Sequence, residues 1–152
     1  MSIPRVILTN PEDWPDWLDR SPVNAYWTAE YRMFISDEAW ILRNGEPHPA
    51  LAMWMQKNGF SSLAIITAYN PGSVLLEESE NRRKNVVLEQ MIQELGLPYG
   101  PALNQAPDGG WQEPGFWVAG IGLEAAVALG REFRQAAICW VHRKEGVHRK
   151  VR

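Results

Sequence analysis

The stretch Ser62-Leu63-Ala64-Ile65-Ile66-Thr67-Ala68-Tyr69 decides the fold class of this chain. It is a continuous apolar run of strand length, whereas a strand with one solvated face alternates apolar and polar residues. Continuous burial is typical of a central strand that is covered on both faces. The stretch therefore predicts a sheet with helices packed against it.

The segments on either side of this strand alternate between strand and helix patterns. The helix predicted at 77–95 has its apolar residues at helical spacing and is followed by Gly96, which suits a helix C-terminus. The predicted strands are 25–35, 62–69, 99–103, 116–121 and 136–142, and the predicted helices are 49–57, 77–95 and 122–133. This order predicts an α/β or α+β fold with a mixed β-sheet of about five strands and helices packed on it.

The length of 152 residues favours a single domain. Such a chain can bury a core without the help of disulfides. Residues 9–22 combine three prolines with several acids, which indicates irregular structure. We therefore expect an irregular N-terminal arm at 1–24, a globular domain at 25–143, and a basic tail or short hairpin at 144–152.

The charge balance argues against a nucleic-acid partner. There are 15 basic and 18 acidic residues, so the chain lacks the basic excess that phosphate contacts need. Residues 142–152 are a local exception, because they carry several lysines and arginines against the single acid Glu145. A solvated terminus explains this segment better than contact with RNA or DNA.

Several absent sequence features bear on the cellular compartment of the protein and on its cofactors. Cys139 is the one cysteine, so no internal disulfide can form and a reducing compartment fits best. The apolar residues near the N-terminus are too few for a signal peptide or a membrane span, which favours a cytoplasmic protein. There is no P-loop or dinucleotide fingerprint, and the three histidines lack metal-ligand spacing. We expect neither a cofactor nor a metal.

A loop follows the apolar strand and precedes the long helix. Ligands of α/β sheets tend to lie beyond the carboxyl ends of strands, and helix N-termini suit anions. Arg82 would add positive charge in the first turns of the helix. However, the acids at 77–80 would repel an anion, and Asn70-Pro71-Gly72-Ser73 is favourable turn chemistry without any ligand. The residue pattern alone favours a structural turn.

The second polar element is Asp108–Gly115, a tight turn that precedes a predicted strand. Trp111 could stack on a ring, and Glu113 could accept a hydrogen bond or act as a general base. The alternative is that Trp111 covers the core while Glu113 pairs with an arginine or a backbone N–H. The pattern again favours the structural alternative.

The segment 66–141 resembles a bacterial family that is catalogued as domain of unknown function 3293. The residues that carry the resemblance are Thr67-Ala68-Tyr69-Asn70-Pro71 with Ser73, Asn81-Arg82 with Asn85, Asp108-Gly109 with Trp111 and Glu113-Pro114, and Leu129-Gly130 with Phe133 and Gln135-Ala136. The resemblance implies a small bacterial cytoplasmic protein and no known activity. Its polar positions fall at strand ends and helix starts, where either a common pocket or a buried polar network would lie.

Two hypotheses for the function follow. The first is a pocket for a small polar ligand, such as a nucleotide or a phosphate compound, with Glu113 as the candidate catalytic residue. Its candidate ligand-binding residues are Asn70, Ser73, Asn81, Arg82, Trp111 and Gln135. The second is a regulatory, adaptor or immunity-type protein that binds another protein without catalysis. The sequence leaves open whether any reaction takes place.

Overall fold

The computed structural model describes residues 2–9 and 25–143, in which seven strands form one sheet. The strands are β1 (Ile3–Leu8), β2 (Glu30–Ile35), β3 (Glu38–Arg43), β4 (Ser62–Ile66), β5 (Tyr99–Gln105), β6 (Gln112–Ala119) and β7 (Ala137–His142). The helices are α1 (Pro49–Asn58), α2 (Glu78–Leu95) and α3 (Leu123–Glu132), with a 3-10 turn at Pro71–Ser73 and a helical turn at residues 25–28. The fold is therefore a single domain of helices packed on a sheet.

The sheet has the order β1-β7-β4-β6-β5-β2-β3, and every neighbouring pair is antiparallel. The predicted mixed sheet of about five strands was wrong in its pairing and two strands short. An alternation of strand and helix suggests parallel neighbours, because a helix commonly joins them. Here α2 leads from β4 to β5, but β6 lies between those two strands and runs opposite to both.

The two strands that sequence reasoning did not identify form the edges of the sheet. β1 lies within the segment expected to be an irregular arm, and it pairs with β7. At the other edge, β3 follows β2 after a tight turn in which Ser36 has a φ of 51°. Both strands are short and carry polar residues, so neither has a continuous apolar signature. Residues 10–24 and 144–152, the rest of the predicted arm and the tail, lie outside the described residues.

The sheet curls so that its two edges meet. The N–H of Gly45, just after β3, donates to the carbonyl of Pro4 in β1 at 2.8 Å. The side-chain Oδ1 of Asn44 accepts a hydrogen bond from the N–H of Val6, also at 2.8 Å. Both edge strands therefore find hydrogen-bond partners, which limits the unpaired backbone available for association with other chains.

The strand β4 divides its side chains between two cores, as its continuous apolar sequence predicted. Leu63 and Ile65 lie in the inner core within the curl, and Ala64 and Ile66 lie in the outer core. The inner core also contains Leu51 and Met55 of α1 and Cys139 of β7. The outer core contains Leu88 and Ile92 of α2 and Ala126 and Leu129 of α3. Helices thus cover the outer face of the strand that leads to the loop.

The helix α2 ends at the glycine that the sequence predicted, and α1 ends at a glycine as well. Gly59 and Gly96 adopt left-handed conformations, with φ of 77° and 72°, directly after α1 and α2. A residue without a Cβ adopts this conformation most easily, which explains the helix stops at these positions. None of the helices in the described ranges is long and apolar enough to cross a membrane.

Candidate functional site

The loop after β4 is held by a reciprocal pair of asparagines. Asn70 has a φ of 49°, a left-handed conformation that asparagine tolerates better than most residues. Its backbone N–H donates to Oδ1 of Asn81 at 2.8 Å, and its own Oδ1 accepts from Nδ2 of Asn81 at 2.9 Å. The same Oδ1 also accepts from the N–H of Leu76 at 3.0 Å. Asn81 lies in the first turns of α2, so the pair fixes the loop to the start of that helix.

Asn70 also connects the loop to Glu113 on β6. Its Nδ2 donates to Oε2 of the Glu113 carboxylate at 3.0 Å. Burial raises the pKa of Glu113, and the hydrogen bond from Asn70 offsets that increase only in part. The carboxyl is thus withdrawn from water yet has no positively charged partner among the described residues.

This carboxyl borders a cavity of about 450 Å³. The cavity is lined by Ala25, Tyr26, Asn70, Leu75, Trp111, Gln112 and Glu113. Its walls are largely apolar and aromatic, and its polar groups are amides and one carboxyl. Ligand sites commonly have this composition, a mainly hydrophobic lining with a few polar groups that fix orientation.

A second set of polar residues ties the same segments together without lining the cavity. Asn85 of α2 accepts from the N–H of Ala68 and donates to the carbonyl of Pro114, both at 2.9 Å. The hydroxyl of Thr67 donates to the same carbonyl at 2.6 Å. These bonds join the end of β4, the helix α2 and the strand β6. They form a structural network beside the cavity.

Three other predicted site residues, Asn81, Arg82 and Gln135, do not line the cavity. Gln135 is 8% exposed, and its Nε2 donates to the carbonyl oxygens of Tyr69 at 2.9 Å and Phe133 at 3.2 Å. Asn81 is 3% exposed, and its side chain supports Asn70 through two hydrogen bonds. Arg82 extends from the exposed side of α2, with its Nε 3.7 Å from Oε2 of Glu78. Ser73 is the last residue of the 3-10 turn.

The predicted set thus divides into two groups. Asn70, Trp111 and Glu113 line the cavity together, whereas Asn81 and Gln135 support the backbone around it. The resemblance left open whether the motif residues form a pocket or a buried polar network, and the geometry contains both.

Sequence reasoning missed four residues of the cavity wall, which are Ala25, Tyr26, Leu75 and Gln112. Residues 25–28 form a helical turn rather than the start of the predicted strand, which begins at Glu30. The carbonyl of Tyr26 accepts from the hydroxyl of Tyr31 at 2.8 Å, which fixes the turn to β2. The aromatic content of this segment predicts a strand, whereas the structure has a helical turn at residues 25–28.

The site holds no obvious set of metal ligands. Across residues 2–9 and 25–143, no three histidine, cysteine, aspartate or glutamate side chains group as ligands would. The single cysteine, Cys139, is fully buried in the inner core, and burial raises the pKa of its thiol far above the usual range. It is therefore a packing residue rather than a nucleophile.

Comparison with protein families confirms the resemblance. Residues 66–138 match the model of a family described as "Protein of unknown function (DUF3293)". The chain therefore resembles this family over these residues. The match includes Asn70, Trp111 and Glu113 but not Ala25 and Tyr26, so the cavity combines matched residues with residues that precede the match. No curated protein and no solved structure matches the chain.

Proposed function

We propose that this protein binds a small planar ligand that carries a positive charge or paired N–H donors. The observation that carries the proposal is the position of Glu113, a carboxyl withdrawn from water at the edge of an aromatic cavity. Among residues 2–9 and 25–143, the side-chain hydrogen bond that this carboxyl accepts comes from Asn70 and engages Oε2. An N–H donor or a cation from a ligand would complete its interactions.

The aromatic residues support a planar body for the ligand. Trp111 and Tyr26 both line the cavity, and indole and phenol rings stack on flat ligands and attract cations through their faces. The volume of about 450 Å³ falls within the range of small-molecule sites. A nucleobase, an aromatic amine or an amidine has the required shape and donors.

The charge at the site argues against a phosphate group as the part that Glu113 recognises. A carboxylate repels an anion, and Arg82, the cation expected to attract phosphate, lies near Glu78 rather than at the cavity. The predicted class of nucleotide or phosphate compound therefore narrows, at this cavity, to the base-like or cationic part of such a ligand. Glu113 would also be the group able to accept a proton if the ligand reacts.

Three compounds of matched size test the proposal, namely benzamidine, benzamide and benzoate. Binding is followed by isothermal calorimetry and by perturbation of the indole N–H resonances, which include that of Trp111. We expect benzamidine to bind best, benzamide weakly and benzoate not at all. In Glu113→Gln, benzamidine binding should weaken about tenfold, since a charged hydrogen bond is worth about 1.5–3 kcal/mol.

The matched control is Glu80→Gln, which removes an exposed carboxylate from α2 outside the cavity. This variant should bind benzamidine as the wild type does. The proposal fails if none of the compounds binds, or if the two variants lose the same fraction of affinity.

The protein-binding alternative has one observation in its favour. Val74 and Leu75 are 52% and 86% exposed in the segment between the 3-10 turn and α2. Exposed apolar side chains next to each other favour a contact surface, although two residues make only a small patch. A partner that is purified at stoichiometric amounts with the wild type, and lost in Val74→Ser/Leu75→Ser, would support this alternative. Absence of such a partner would remove it.

A further inference from the structure

The loop after β4 also borders a second groove, of about 210 Å³, which shares no lining residue with the first cavity. It is lined by Pro71, Lys84, Val87, Glu132, Phe133 and Arg134. Lys84 comes from α2, and Arg134 comes from the turn after α3. Within residues 2–9 and 25–143, neither cation lies within 4.0 Å of an acidic side-chain oxygen. Two cations from different elements thus reach one groove without forming an ion pair.

The backbone of Arg134 has a conformation that favours glycine. Its φ is 53°, in the left-handed region, and it follows Phe133, the C-cap residue of α3. The N–H of Gln135 donates to the carbonyl of Gly130 at 2.8 Å, and the N–H of Arg134 donates to that of Arg131 at 3.0 Å. This is the hydrogen-bond pattern of a Schellman motif, whose left-handed position is usually glycine. Glycine would adopt this backbone conformation more easily than arginine, so the contacts of the arginine side chain bear on its role.

The side chain of Arg134 lies over Gly72 in the 3-10 turn. A Cβ at position 72 would be 3.3 Å from Nη2 and 3.6 Å from Cζ of the guanidinium. The N–H of Gly72 also donates to the carbonyl of Arg134 at 2.8 Å. The guanidinium therefore packs against backbone that a glycine leaves uncovered, which restricts its orientation. A restricted fork of N–H donors loses less entropy when it binds an anion.

We propose that Lys84 and Arg134 form a binding site for a phosphate group. A guanidinium donates two parallel hydrogen bonds to phosphate oxygens, and an ammonium supplies a point charge to the same group. Glu132 lines the same groove and opposes an anion, but its single charge is outweighed by the two cations. The phosphate is either free inorganic phosphate or the phosphate of a small monoester. This site does not depend on the ligand proposed for the Glu113 cavity.

The test is a calorimetric titration with inorganic phosphate and with phenyl phosphate, at constant ionic strength set with chloride. We expect Arg134→Gly and Lys84→Gln each to weaken phosphate binding at least about tenfold, since each removes a charge-assisted contact. Glu132→Gln should strengthen binding, because it removes the opposing charge. Arg83→Gln is the matched control, since it removes an exposed cation of α2 that does not line this groove.

Thermal unfolding of the same variants separates a binding role from a structural one. Arg134→Gly should unfold at a higher temperature than the wild type, because glycine suits the left-handed position, while it loses phosphate. Arg134→Gln keeps a side chain over Gly72 without the charge and should lose phosphate with its fold intact. Tighter binding of phenyl phosphate than of inorganic phosphate identifies a monoester as the ligand, and the reverse order identifies free phosphate.

Three results would overturn the proposal. The first is phosphate binding no stronger than that of chloride at equal ionic strength. The second is an Arg134→Gln variant that binds phosphate as the wild type does. The third is a loss of thermal stability in Arg134→Gly, which would assign the arginine a structural role.

Discussion

The Nδ2 of Asn70 donates to Oε2 of Glu113 at 3.0 Å, so one side chain joins the loop after β4 to the carboxyl of β6. The other atom of the same amide, Oδ1, accepts from Asn81 and from the N–H of Leu76. Only an amide offers a donor and an acceptor in this arrangement. Asparagine also tolerates the left-handed backbone, which explains why this residue type suits the position.

Replacement of Asn70 by aspartate should separate these two functions. The Asn70→Asp variant keeps the acceptor for Leu76 and the left-handed conformation, but it loses the donor to Glu113 and places a second carboxylate beside it. We expect the free energy of unfolding to fall by about 2 kcal/mol, as for loss of a buried charged partner, measured by urea denaturation at pH 7. The pKa of Glu113 should increase further, because like charges favour the protonated form.

Asn70→Gly is the companion variant. Glycine retains the backbone conformation but removes every side-chain hydrogen bond of Asn70, so this variant should be destabilised. The pKa of Glu113 should rise because the Asn70 donor is lost, but by less than in Asn70→Asp, where a second carboxylate is added. If Asn70→Asp and the wild type have the same midpoint of urea denaturation, the role assigned to the Asn70 side chain is contradicted.

Stability should depend on pH through Glu113. Burial raises the folded pKa of this carboxyl above its usual value near 4.5, so the folded state holds the proton more tightly than the unfolded state. The favourable contribution is therefore complete below about pH 4.5, decreases as the pH rises through the folded pKa, and is constant above it. Urea denaturation at a series of pH values from about 4.5 upward measures how the free energy of unfolding changes with pH.

The Glu113→Gln variant provides the comparison, because glutamine does not titrate and its Oε1 can still accept from Asn70. Its stability should lack the component that the wild type loses with rising pH. Parallel curves for the two proteins would show that Glu113 does not titrate differently in the folded and unfolded states.

The sequence predicted those parts of the fold that depend on local pattern. The run from Ser62 showed that both faces of β4 are covered, and Gly96 marked the end of α2. The direction of the strands was not predictable in this way, because antiparallel order arises from β6 lying between β4 and β5. The pairing of distant strands depends on the whole sheet and leaves no periodic signal in either strand.

In the candidate site, too, the residues that a local sequence pattern marks were predicted and those that depend on the tertiary structure were not. Asn70, Trp111 and Glu113 were predicted because turn residues and a carboxyl beside a strand are visible in the chain. Tyr26 was missed because an aromatic run fits a strand as well as a helical turn. Arg134 was missed because nothing in the sequence marks its left-handed backbone, which depends on how α3 ends.

The close approach of β6 to β4 should make Gly115 intolerant of substitution. A Cβ at this position would lie 2.3 Å from the carbonyl oxygen of Ile66 and 3.0 Å from Cα of Thr67, both of which are backbone atoms. Gly115→Ala should therefore lower the free energy of unfolding by about 3 kcal/mol or more, as forced overpacking does. The matched control is Gly122→Ala, since a Cβ there meets nothing within 4 Å. Equal thermal midpoints for the two variants would contradict this account.

Replacement of Gln135 should lower the stability of the protein, whereas replacement of Glu113 should lower its affinity for the ligand. Gln135 donates to the carbonyl oxygens of Tyr69 and Phe133 and does not line the cavity, so its role is to hold the loop. Gln135→Met fills similar space without a donor and leaves two buried acceptors unpaired. We expect a loss of about 1–3 kcal/mol in the free energy of unfolding.

Benzamidine affinity provides the second measurement for this pair. At a temperature where Gln135→Met remains folded, its affinity for benzamidine should equal that of the wild type, whereas Glu113→Gln should lose affinity and retain stability at pH 7. A Gln135→Met variant that loses binding with no loss of stability would place Gln135 among the ligand contacts. The pocket and the polar network that supports it are thus separable by experiment, although the same short loop carries both.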